Sequence, residues 1–265
     1  MFRSATKSKS FQIAATSLML SLLLATPGAF AHDFWVNAAR SENGVLKAEI
    51  GYGHDFPKPE TIVEDRVHLF DSLYLATPEE KVKLVQSGEN YAYEGKKELA
   101  KGSYMVLGYY HPTFWSNGAD GWAQKDRQQR PDATYCEEVS MFAKTILNID
   151  GSDDDSFITK PTGQRLEIVP LMNPAKVKAG EKFTVQVLVD GKPLKTAKLE
   201  ATFGGFSDKD FKAFSGRADL QGIIDIIPLK AGYWFAKVSH AFEHEDKTRA
   251  DEVVLVSTLT FHIGE

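Results

Sequence analysis

Residues 182–189 alternate in character. Phe183, Val185, Val187 and Val189 fall on one side, and Lys182, Thr184 and Gln186 on the other. A period of two marks a strand with one buried face. Asp190-Gly191-Lys192-Pro193 follows as a tight turn, and Ala197, Leu199, Ala201 and Phe203 resume the alternation. Residues 165–171, 211–217, 222–229, 233–242 and 253–263 also read as strands. Turn signals at Asn173-Pro174, at Lys178-Ala-Gly180-Glu181, at Asp219-Leu-Gln-Gly222 and at Lys230-Ala-Gly232 separate them. Short strands at this spacing predict an immunoglobulin-like β-sandwich for residues 156–265.

The first half is β-rich but less regular. Residues 45–51, 66–70, 73–76 and 103–110 read as strands. The polar stretch 112–131, which carries Trp115 and Trp122, reads as a long surface loop. Residues 133–149 support two readings. Val139, Phe142 and Ile146 have helical spacing, while Ala143, Thr145, Leu147 and Ile149 alternate as in a strand. Gly151-Ser-Asp-Asp-Asp-Ser156 is a solvated break. The expectation is a mainly β chain of two β-sandwich-like domains, residues 32–155 and 156–265, the second immunoglobulin-like.

The amino terminus has a different pattern. Arg3, Lys7 and Lys9 form a basic region, residues 13–25 an apolar one, and Ala29-Phe30-Ala31 a small-residue cleavage signature. Residues 1–31 therefore read as a signal peptide, and the expected location is the periplasm. Beyond it no apolar run is long enough to span a bilayer. Removing the leader takes three positive charges from a formal net charge of −5, leaving −8. An acidic chain with no basic patch is no partner for nucleic acid. Cys136 is the single cysteine, so no intrachain disulfide forms, and a buried apolar thiol is expected there.

Cleavage after Ala31 makes His32 the first residue of the mature chain. An amino-terminal histidine offers its α-amine and its imidazole Nδ1 to one metal ion. The α-amine has an ordinary pKa of about 7.7–8.0, so deprotonation costs little at neutral pH. The other histidines are His54, His68, His111, His240, His244 and His262. His54 sits in Gly51-Tyr-Gly53-His54-Asp55-Phe56-Pro57, a turn at a strand end, where ligands are often carried. His111 lies where a strand gives way to the expected loop. His240 ends a strand and His244 lies in the hairpin after it. His68 and His262 read as ordinary sheet residues. The candidate metal ligands are therefore His32, His54, His240, His111 and His244, with Asp55 and Glu243 as acceptors that orient imidazoles. Nitrogen donors without a methionine cluster favour a borderline divalent ion, nickel or cobalt, with copper or zinc also compatible.

Signals for enzyme chemistry are absent: no Gly-x-Ser-x-Gly elbow, no Walker loop and no dinucleotide fingerprint. The chain does show His32-Asp-Phe-Trp35 after the leader, Gly53-His54-Asp-Phe-Pro57, Leu166-Glu-Ile-Val-Pro170, Gly191-Lys-Pro193 and the ending Ser257-Thr-Leu-Thr-Phe261. In this order they resemble a bacterial periplasmic family of unknown function described as the periplasmic component of cobalt or nickel ABC-type transport. The resemblance spans the mature chain. It implies transition-metal handling beside an inner-membrane nickel or cobalt permease, with His32 and His54 as the best-matched histidines and His240 after them. The expected function is thus a non-enzymatic, metal-binding accessory protein of a metal uptake system. The alternative is a structural or adhesive β-sandwich binding a polypeptide or glycan through the Trp115 and Trp122 region. Copper oxidase chemistry is a third class, resting on the amino-terminal histidine alone.

Overall fold

Successive side chains point to opposite faces of the strands and sort the molecule into three layers in the computed structural model, which describes residues 32–89, 91–152, 154–207 and 211–265. The expected signal peptide lies outside the described residues. The chain is mainly β, as its patterning predicts, and its sheets pack face to face. The first layer has the order β1 (Asp33–Arg40), β2 (Val45–Gly53), β6 (Ala92–Glu98), β5 (Val85–Gln86). The middle layer is nine-stranded. It runs β14 (Phe214–Arg217), β13 (Lys198–Phe203), β16 (Gly232–Glu243), β17 (Glu252–Ile263), β9 (Tyr135–Ile149), β7 (Gly102–Gly118), β3 (Tyr74–Ala76) and β4 (Lys81–Lys83), with β8 (Gly121–Ala123) paired to β7. The third layer joins β10 (Leu166–Pro170), β11 (Phe183–Val189) and β12 (Lys192–Pro193), with β15 (Ile223–Ile226) also paired to β11.

The middle sheet buries both faces. On β9, Val139, Met141 and Ala143 turn to the first layer, while Phe142 and Ile146 turn to the third. On β17, Val256 faces the first layer and Leu255, Leu259 and Phe261 the third. Each of these side chains other than Ala143 contributes about 1.5–3 kcal/mol when fully buried. One charged pair crosses the second interface. Lys144 Nζ on β9 donates to Glu167 Oε1 on β10 at 2.6 Å, and both side chains are 1% exposed. The Thr162 amide (2.7 Å) and hydroxyl (2.8 Å) also donate to Glu167 Oε1, and the Gly163 amide (3.1 Å) to Oε2. Burial alone would raise the Glu167 pKa, but the Lys144 charge and these donors hold the carboxyl below its ordinary value.

Several expectations change. The break at 151–156 separates β9 from β10, yet strands from both sides of it share the middle sheet, where β17 runs parallel to β9. Residues 32–265 form one unit by their contacts. Residues 66–70 are not a strand: Glu64–Leu69 is a 3-10 turn, and His68 is exposed on it. The expected loop at 112–131 is sheet in its first part and loop only after Ala123. β7 continues past a bulge between Tyr110 and Thr113 and returns as β8. Trp115 is accordingly a strand residue. Its Nε1 donates to the Tyr110 hydroxyl at 3.2 Å and Arg66 lies over its ring. Residues 133–149 resolve in favour of the strand. Cys136 is buried, as expected, and burial pushes its thiol pKa up.

Candidate metal centre

Strand register brings two of the candidate histidines together. β1 and β2 pair antiparallel with Asp33 opposite Gly53. One step further along the same register, His32 stands across from His54. Their ring centroids are 4.4 Å apart. β1 is fixed in place from two sides. Trp35 lies over Gly51, where a Cβ would fall 2.0–2.5 Å from the indole, so only glycine fits. On the other side the Thr258 hydroxyl donates to the Phe34 carbonyl (2.7 Å) and the Thr260 hydroxyl to that of Val36 (2.6 Å). Lys237 on β16 pairs with Asp33.

The third member is Glu60, which the sequence reading did not single out. The chain after β2 turns through an Asp55–Lys58 bridge and folds back, so that the Glu60 amide donates to the Tyr52 carbonyl at 2.8 Å. This sets the carboxylate beside both histidines. Oε2 lies 3.0 Å from His32 Nε2, and Oε1 accepts from the His54 amide at 3.2 Å. Gly53 permits the approach, since a Cβ there would meet the Glu60 side chain and amide at 3.0–3.2 Å.

Behind the cluster stands an aromatic wall. The His32 ring stacks on Tyr52 at 4.5 Å and 11°. Tyr52 in turn meets Phe70 edge-on at 5.2 Å and faces Tyr110 at 6.4 Å. Burial, with Tyr110 adding to it, pushes the Tyr52 hydroxyl up to about 12, so it stays neutral. For Glu60, burial acts upward, but the hydrogen bond to His32, the charges of His32 and His54 and the His54 amide outweigh it. The carboxyl is held below its ordinary value and is ionised at neutral pH.

His32, His54 and Glu60 are, among the described residues, the one group of at least three such side chains whose ligand atoms all lie within 4.8 Å of one another. Two imidazole nitrogens and a carboxylate oxygen fit a borderline divalent ion.

The other three candidate ligands are not part of this group. Along β16, Phe235 touches Trp35 and Lys237 pairs with Asp33, so that parity faces β1. His240 has the opposite parity, shared with Trp234, Ala236 and Val238 in the core against the third layer. It therefore lies on the other face of the sheet from His32. His244 is on that side as well, with Nε2 3.5 Å from Glu138 Oε2 and its ring against Phe114. His111 leans on Tyr109, whose ring stacks on Phe142. Glu243, expected as an orienting acceptor, is exposed and pairs with Lys247 at 3.5 Å. Asp55 belongs to the turn bridge rather than to the cluster. His262 is the sheet residue it was expected to be, stacked on Tyr233.

Comparison with known proteins places the chain in a family. It belongs to the DUF4198 family, a domain of unknown function, whose pattern matches residues 29–242. No curated protein matches the chain. The matched segment includes His32, His54 and Glu60.

Proposed function

We propose that this member of the DUF4198 family binds a divalent transition metal as an accessory protein of metal uptake, in the periplasm of a bacterium. The observation that carries the reading is the convergence of His32, His54 and Glu60. Nickel or cobalt is the favoured cargo, and copper and zinc suit the same donors. Cleavage after Ala31 would free the His32 α-amine; because it chelates together with Nδ1 while Nε2 is the nitrogen that faces Glu60, it becomes a fourth donor to the same ion once the imidazole turns to offer Nδ1. The ion would be passed to an inner-membrane nickel or cobalt permease, and no catalysis is needed.

For the glycan- or polypeptide-binding alternative, Trp115 is tied to Tyr110 and lies under Arg66, which leaves Trp122, exposed on the β7–β8 hairpin, as the aromatic side chain that would serve it.

Calorimetry with nickel, cobalt, copper and zinc tests the reading on protein whose first residue is His32. One ion per chain is expected, with weaker binding when a single residue is added ahead of His32. Equal affinity with and without the extension removes the α-amine from the site. No heat with any of the four ions removes the function.

A further inference from the structure

We infer that the ion enters and leaves this centre by associative ligand exchange: a donor atom on a second molecule bonds to the ion before His54 or Glu60 releases it. The inference rests on the metal-binding reading above and specifies how that site works.

The described chain supplies three side-chain donors. Borderline divalent ions take about four to six. Even with the His32 α-amine added, a six-coordinate ion keeps positions that the described residues do not fill. Sites that hold an ion permanently are closed, whereas sites that exchange ligands keep an open position.

Exposure is also one-sided. The His32 side chain is 24% exposed and is backed by Tyr52, Phe70 and Tyr110, while that of Glu60 is 49% exposed and His54 is exposed as well. An incoming donor therefore has a free approach over His54 and Glu60 and none from behind His32. In a buried site a protein ligand must leave first, because no outside atom can reach the ion. Here that constraint is missing.

Charge sets the class of partner. A divalent cation with one carboxylate keeps a net positive charge. It attracts anionic or neutral donors, so the acceptor is a molecule or protein segment that presents such donors, carboxylates or imidazoles among them, rather than a cationic one. The step is ligand substitution without redox change. The incoming lone pair forms one bond to the ion, and the lone pair of His54 or Glu60 returns to its own side chain as the other bond breaks.

The test is stopped-flow transfer of nickel from loaded protein, beginning at His32, to excess of a coloured pyridylazo chelator. Loading is first verified by calorimetry. The expected rate constant rises in proportion to chelator, so doubling the chelator doubles the rate. A rate constant independent of chelator concentration means unassisted release and overturns this inference while leaving the metal site standing. Failure to load nickel, cobalt, copper or zinc overturns both.

Discussion

At the scale of single residues, Glu60 turns a pair of neighbouring histidines into the proposed metal centre. Its carboxylate bridges the His32 ring and the His54 amide. Glu60→Gln keeps the shape and removes the charge. Nickel affinity should fall by roughly ten-fold or more, on the scale seen when even an orienting partner of a metal ligand is lost. Calorimetry reads the change, and an unaltered affinity would exclude Glu60 as a ligand. His32 and His54 were legible in the sequence, because an expected cleavage signature before one and a glycine-rich turn around the other mark both. Glu60 was not legible. Its place depends on a turn folding back over Gly53, and nothing in the spacing from His54 states that contact. His240 was misjudged for a related reason. Alternation along its strand shows that it has the opposite parity to Lys237, but not which face β1 will cover.

At the scale of elements, β1 brings His32 beside His54 in the proposed centre. It escaped the pattern analysis because Phe34, Trp35 and Val36 are buried in succession. Phe34 and Val36 enter the core beneath the first sheet, while Trp35 packs with Phe56 and Phe235. A strand buried on both faces shows no period of two. β9 was ambiguous for the same reason, being buried from Val139 through Ile146. The half-exposed strands of the third layer, such as β11, could be read because one face meets water. Gly51→Ala tests the link between β1 and the centre. The added methyl would strike the Trp35 ring. A loss of about 1–3 kcal/mol is expected, the usual cost of overpacking. Metal binding should weaken together with it, because His32 rides on the displaced strand. Urea unfolding and calorimetry on the same sample give both quantities; intact metal affinity in a destabilised variant would uncouple strand from site.

At the scale of the whole molecule, Lys144 and Glu167 tie the middle layer to the third. Removing one partner of a buried pair leaves an uncompensated charge, so Lys144→Met should cost about 3–5 kcal/mol in urea unfolding. A pH dependence accompanies it. The folded Glu167 pKa lies below its unfolded value, ordinarily about 4.3 for glutamate. The stability it contributes is therefore complete above that unfolded value and drains away as pH falls through the lower, folded one. Burial also lowers the Lys144 pKa, against the pull of Glu167. Unfolding curves should show the acid loss in the parent protein and a smaller one in Lys144→Met; equal slopes would mean the pair does not set it. The sandwich class was legible from turns and alternation. The sharing of one sheet by both halves was not, because the parallel pairing of β17 with β9 joins segments more than a hundred residues apart.

The central claim is that His32, His54 and Glu60 hold one divalent ion. X-ray absorption at the nickel edge, on protein beginning at His32 and loaded with one equivalent, examines it most directly. The account predicts a nitrogen and oxygen shell with scattering from two imidazoles, reduced to one in His54→Ala. A shell without imidazole scattering, or one that His54→Ala leaves unchanged, would contradict it.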